Sequence, residues 1–330
     1  MAQLKYYDKH NQVGFLRKPN ESAGFVEIVD FLRGSNLRYA LTINPTIHDS
    51  LVKQFWQTAT ATTLADRTLE LKATIDTIEY TITEASIRSK LQLADASGIT
   101  MLPNNEIFEG MGHMGYPTDG SFTFWKSFFT PQWRFLVHHI LHCMSSKSGG
   151  WDQFGSNIAT ALICLSTGRV YNFSKLIFDG MVANLKSKTK FLMYPRFLQM
   201  ILDIQTENKH PYLAVTLTKK IFGNMKRGFR GVPRPLLPAM LSIVLLLLIQ
   251  VQIKKYPDVL NLNSIIIHNS ITIYNPSPPI QSPPTVPAPS LIYTFTILKL
   301  TLNLMETKTL QEPSPAHQTL SPHKEHAKSC

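Results

Sequence analysis

Cysteine is scarce in this sequence. Cys143, Cys164 and Cys330 are the only three in 330 residues, too few and too scattered for a disulfide framework, and no CxxC pair or Cys/His knuckle accompanies them. A reducing, intracellular setting is the expectation. The opening residues, MAQLKYYDKHNQVGFLRKP, lack the apolar stretch and small-residue cleavage site of a secretory signal and carry acid too early for a transit peptide. The parts needed to move a phosphoryl group are missing too, with no GxxxxGK[ST] and no kinase set of Gly-rich loop, HRD and DFG. Neither a GxSxG elbow nor a polymerase YxDD occurs. The nearest fragments, Asp119-Gly120-Ser121 and Asp95-Ala96-Ser97-Gly98, read as a turn and a loop, because no second copy or flanking strand gives them catalytic context. The apolar stretch from Leu236 to Val251 is sixteen residues long and contains Pro238, Ser242 and Gln250, short of the roughly twenty that span a bilayer. A membrane partner is therefore not expected.

What is abundant is apolar residue type and, locally, positive charge. The 44% hydrophobic content can fill a core. The net charge of +11 is unevenly spread: residues 1–150 hold 14 Lys plus Arg against 14 Asp plus Glu, residues 151–235 hold 13 against 4, and the remainder 6 against 4. Within the middle stretch, Lys186, Lys188 and Lys190 form one group. Lys219, Lys220, Lys226, Arg227, Arg230 and Arg234 form another, interleaved with Phe222 and Phe229. Cations of this density attract phosphate backbones, and aromatic rings among them offer stacking to bases.

Periodicity predicts a mainly α fold with one small β-hairpin, an α+β arrangement. Phe25, Ile28, Val29 and Leu32 recur at helical spacing, with Gly34 as a stop. A second helix is expected after Thr46 as cap, burying Ile47, Leu51, Val52, Phe55 and Trp56. Alternation over 69–75 and 78–82 around Asp76-Thr77 predicts the hairpin, followed by a helix from about Thr83. A loop is expected from Asp95 through Asp119. Thr130-Pro131 opens the strongest helix, with Trp133, Leu136, Val137, Ile140, Leu141 and Met144 as its core stripe. Further helices are expected at 154–165, 174–185, 195–204 and 216–225. The helical domain is drawn as 1–235. Residues 236–330, apolar and then rich in proline and serine, are expected to be a largely disordered tail.

Within HHILH, His138 and His142 stand at i and i+4, a spacing that can hold zinc, but His139 occupies the place a metalloprotease gives to glutamate. Arg134, His138 and His142 fall opposite the apolar stripe and read as an exposed polar face. Cys143 and Cys164 read as small buried apolar residues. No catalytic residue, metal or cofactor is expected.

Several segments in order, among them YALTINPTIHDSLVKQFW at 39–56, IFEGMGHMGY at 107–116, a long run at 128–185, KFLMYPRFLQ at 190–199 and KKIFGNMKRGFRG at 219–231, resemble the plant transposon protein domain of long-terminal-repeat retroelement polyproteins. They lie within about residues 10–235. Members of that family also carry names borrowed from xylulose kinase and from synaptobrevin or longin-like proteins; a kinase name finds no residue support here. The absence of catalytic motifs favours a noncatalytic module of such an element, one that assembles with itself or touches RNA or single-stranded DNA nonspecifically through its basic segment, a contact the retroelement context makes somewhat more expected. Lys219, Lys220, Lys226, Arg227, Arg230 and Arg234 are the expected phosphate contacts, and Phe222 or Phe229 the expected stacking partner. An enzyme with an unrecognised site is the alternative from another class, and a nonfunctional coding remnant is a third. The family pattern breaks after about Met240, as a frameshifted tail would.

Overall fold

A computed structural model describes residues 3–206 and 210–255. All belong to one compact unit. The expected disordered tail from residue 256 onward lies outside the described residues. In chain order the first elements are α1 (Val26–Gly34), α2 (Arg38–Thr42), β1 (Ile47–His48), α3 (Asp49–Thr58), β2 (Thr60–Thr63), β3 (Leu69–Ile75), β4 (Ile78–Ile82), α4 (Glu84–Lys90) and α5 (Asn104–His113). There follow β5 (Phe124–Trp125), α6 (Pro131–His139), β6 (Gln153–Phe154), α7 (Ser156–Thr167), α8 (Phe173–Lys186), α9 (Pro195–Leu202), β7 (Pro211–Tyr212), α10 (Lys220–Lys226) and α11 (Pro238–Lys255). The mainly α reading with its hairpin holds.

The hairpin is the middle and edge of an antiparallel sheet ordered β2-β3-β4. Leu71, Ala73 and Ile75 point inward from β3 onto α3. Ile75 pairs with Ile78 across a two-residue turn in which Asp76 and Thr77 both have positive φ, 47° and 71°. That is the turn whose twist suits a tight hairpin, and it favours glycine at its second position. Thr77 is β-branched and exposed there, so Thr77→Gly should raise stability by about 0.5–1 kcal/mol despite losing the Thr77 hydroxyl bond to Asp76 O. An unchanged or lowered urea midpoint would refute this.

Helix α2, the third strand β2 and the short pairs β1-β7 and β5-β6 are not anticipated by the sequence reading, and three further elements differ from it. The helix expected after Thr46 begins at Asp49, because Ile47 and His48 pair with Tyr212 and Pro211 first. The loop expected over 95–119 contains α5. Its glycines argue against a helix, yet Gly110 sits where an added Cβ would come within 2.8 Å of Ile163, so the helix is stabilised by close packing on α7. The apolar run beyond Arg234 forms α11 and packs on α1 and α7, extending the ordered domain past 235. Leu236, Met240 and Val244 are buried, each such burial being worth roughly 1.5–3 kcal/mol. Gly34 leaves room for Ile243 and Leu247. Among the described residues no helix is long and apolar enough to cross a membrane.

The fragments set aside in the sequence have structural duties. Asp95 is buried and accepts from Ser174 N (2.8 Å), Ser174 Oγ and Arg88 Nε (2.7 Å), capping the start of α8. Asp119 accepts from Ser121 N at 3.0 Å, closing a turn. Cys143 and Cys164 are buried, and burial pushes their thiols up, to about 12 and about 11.

Helix α6 continues into one π turn, Ile140–Met144, whose carbonyls would otherwise be orphaned at the helix end. Residues 10–16 lie across that end. Gln12 N donates to His142 O (2.8 Å), and Asn11 Nδ2 to Cys143 O (3.2 Å). From α9, Tyr194 Oη donates to Met144 O (2.8 Å), and Arg196 Nη2 to Cys143 O (3.3 Å). The same strand of residues reaches onward, as Val13 N bonds Val215 O and Leu217 N bonds Val13 O. This places the segment leading into α10 against α6.

Candidate nucleic-acid interface

Helix α10 buries Ile221, Phe222 and Met225 against α6 and the stretch just before α1 that includes Phe25, and exposes Lys220, Gly223 and Asn224. The apolar stripe therefore decides which way the cations face. Phe222 is 1% exposed and its ring stacks on Phe135 at 5.4 Å, with Phe25 at 5.1 Å. Its expected role as a base-stacking ring is corrected: a ring that completes the core cannot also meet a base. Phe229 is half-buried and lies over Gly231.

The six cations fall into two groups. Lys219 pairs with Glu21 at 3.1 Å, and Lys226 donates to Ala23 O at 2.9 Å while lying 5.4 Å over the Phe25 ring. Exposed pairs of this kind are weak and can be exchanged for other anions. The side chains of Lys220, Arg227, Arg230 and Arg234 are exposed and make no hydrogen bond or ion pair among the described residues. Lys186 and Lys188 are exposed at the end of α8.

Arg134 holds the end of α10 in place. Its Nη1 donates to Met225 O (3.0 Å) and Arg227 O (3.1 Å), and its Nη2 to Ser127 O (2.7 Å) and Phe129 O (3.2 Å). A cation at a helix C-terminus satisfies carbonyls that have no partner within the helix. Arg134 Nε is buried with no partner among the described residues.

Beside this helix end runs a cleft. Two cavities of about 360 and 470 Å³ share Lys126, His138, Asp152 and Leu217, so together they extend from Asn224 on α10 to Trp151 and Lys9. Lys126 is held by Asp152 (3.2 Å) and donates to Trp151 O (3.0 Å), and burial pulls its pKa below the usual lysine range. The polar face read as exposed is corrected here: His142 is 3% exposed and His138 only half-exposed. Lys9 and Trp151 cover that face. The His138 and His142 rings stack at 4.0 Å, and Trp151 stacks on His142 at 4.6 Å.

The tautomer of His142 follows from its partner. Nδ1 lies 2.9 Å from Lys9 O, a carbonyl that only accepts, so Nδ1 carries the hydrogen and Nε2 a lone pair. That Nε2 is buried without a partner among the described residues, as is His138 Nδ1. Burial, with Lys126 nearby, pulls the His142 pKa down to about 3 and that of His138 well below the usual range. Both rings are neutral at ordinary pH. Among the described residues no group of three His, Cys, Asp or Glu is placed to hold a metal ion.

The sequence brought the basic residues to notice but not the cleft. Lys126, Trp151 and Lys9 are far from His138 and His142 in the chain, and the signal available was a tryptophan following Gly149-Gly150 in an otherwise polar turn. No protein-family model, curated protein or solved structure matches the chain.

Proposed function

We propose that this chain is a noncatalytic module of a plant retroelement polyprotein that holds RNA or single-stranded DNA through phosphate contacts along residues 219–234. The retroelement part rests on the quoted segments that resemble that family. The binding part rests on one observation: Lys220, Arg227, Arg230 and Arg234 project from one short stretch with no anionic or hydrogen-bonding partner of their own among the described residues. Charges in that state bind polyanions by releasing condensed counterions, which makes affinity fall with salt. Lys219 and Lys226 can join by giving up their weak surface contacts, and Phe229 is the remaining ring in the segment. Arg134 supports the reading by fixing the helix end that carries these cations.

The test is binding of RNA and single-stranded DNA by the full chain at 50 and 200 mM salt, beside a variant with those four cations changed to Gln. Four phosphate contacts correspond to a log–log salt slope of about −3 and a loss of roughly fifty-fold over that interval. The variant should lose most of that slope. Salt-insensitive binding, or a variant indistinguishable from wild type, would refute the proposal.

A further inference from the structure

The cleft beside α10 holds groups that the basic segment does not use. Its walls carry a ladder of three stacked rings, His138, His142 and Trp151. Two ring nitrogens on the first two, His138 Nδ1 and His142 Nε2, are buried with no partner among the described residues. Unfilled buried polar atoms are uncommon, because each forfeits the hydrogen bond it had to water. His142 Nε2 is an acceptor by the argument from Lys9 O. A partner for it has to donate, as water or an amino N–H does, so an oxyanion alone does not answer it. A metal ion would need further ligands, and Asp152, the nearby carboxylate, is already engaged by Lys126.

The larger cavity, about 470 Å³, lies in the range of small-molecule sites. The mouth on the α10 side is bordered by Asn224, and Lys220 stands one turn earlier on the same helix face. A polyanion lying on the basic segment thus passes this opening. A flat ring with an N–H donor, attached to a phosphate chain, meets every requirement: aromatic surface to stack on, a donor for the imidazole, and cations outside for the backbone.

We infer that the cleft takes one unstacked amino-bearing nucleobase from a single strand whose phosphates lie on residues 219–234. This rests on the function proposed above and adds a base subsite to it. The base would enter edge first toward His142, with Trp151 alongside and Lys9 at the far end.

The experiment compares two oligonucleotides of equal length with the full chain. One carries adenine and the other N6,N6-dimethyladenine, which keeps every phosphate and the ring face but has no N–H to donate. The adenine strand should bind about tenfold more tightly, and the difference should vanish in His142→Phe, which preserves the stacked ring. Equal binding of the two strands by the wild-type chain, or a difference that survives His142→Phe in a protein of unaltered circular dichroism, overturns the subsite and leaves the phosphate interface standing. If neither strand binds, the interface reading falls. Adenosine monophosphate and its dimethyl analogue, read by quenching of tryptophan fluorescence, then decide the cleft: a response to the first alone supports the subsite, and none to either overturns it.

Discussion

Arg196→Met should lower stability by about 3–5 kcal/mol, the range for leaving a buried polar network without its central partner. The guanidinium is 0% exposed. Its Nε donates to Asn11 O (2.8 Å), and Nη1 to Ile43 O (2.6 Å) and Ala40 O (3.2 Å). Nη2 completes the set at Cys143 O (3.3 Å). Four carbonyls from three separate stretches of chain thus converge on one planar fork. Burial draws the pKa down to about 10, so the group is still a cation at neutral pH, neutralised by carbonyl dipoles and by the Phe197 ring 5.0 Å away. Methionine fills similar space and offers no donor. Lysine keeps the charge, but its single ammonium cannot address the four carbonyls the fork reaches. Arg196→Lys should therefore also lose stability, by about 2 kcal/mol. Urea unfolding monitored by fluorescence measures both, and a loss below about 1 kcal/mol for Arg196→Met would show that the network is not what anchors residues 10–16.

Acid should unfold the domain before its carboxylates are fully protonated, because three buried histidines are neutral in the folded state. His10 donates from Nδ1 to Lys147 O (3.0 Å) and accepts the Tyr194 N–H at Nε2 (2.9 Å). His139 likewise donates to Phe135 O (3.0 Å) and accepts from Phe15 N (3.3 Å). His142 follows the same pattern on its Nδ1 side. Burial pulls their pKa values down to about 3, about 4 and about 3. The unfolded value is near 6.5, so above that pH neither state binds the proton and nothing changes. Below it the unfolded chain takes up protons that the folded chain refuses. Each histidine then removes about 1.4 kcal/mol per pH unit, or roughly 4 kcal/mol for these three together, to which His138, also neutral when folded, adds in the same direction, until the folded values are reached. For a domain of ordinary stability the midpoint should fall between about pH 4 and 5.5. A stability that stays flat from pH 6.5 to 4.5 would contradict the neutral assignment.

Much of the helical framework could be read from the sequence because its signals are local. Thr83 and Ser86 form the reciprocal cap that opens α4; Pro131 takes the first position of α6, and Gly168 ends α7 with a left-handed φ of 74°. The hairpin was legible for the same reason, as period-two alternation on both sides of Asp76-Thr77. Contacts between distant residues were not legible. Helix α5 depends on Ile163 accepting Gly110, and α11 on a groove made by α1 and α7. The histidine face is buried only because residues 9–15 and Trp151 return to cover it. The same distinction separates the two halves of the candidate site. The cations were countable, whereas the core position of Phe222 depended on Phe135, Phe25 and Phe15 meeting it.

The placement of residues 10–16 across the end of α6 also sets an order of events during synthesis. Asn11 is satisfied by Arg196, 185 residues later, and Val13 by Val215 and Leu217. At ~5–20 residues per second the ribosome takes on the order of 10–40 s to supply those partners. Until then Asn11 Oδ1 and Val13 lack those partners, and Met144 O and Cys143 O lack the donors that Tyr194 and Arg196 supply. Residues 11 and 13 thus become fully native only after segments more than 180 residues further on have been made.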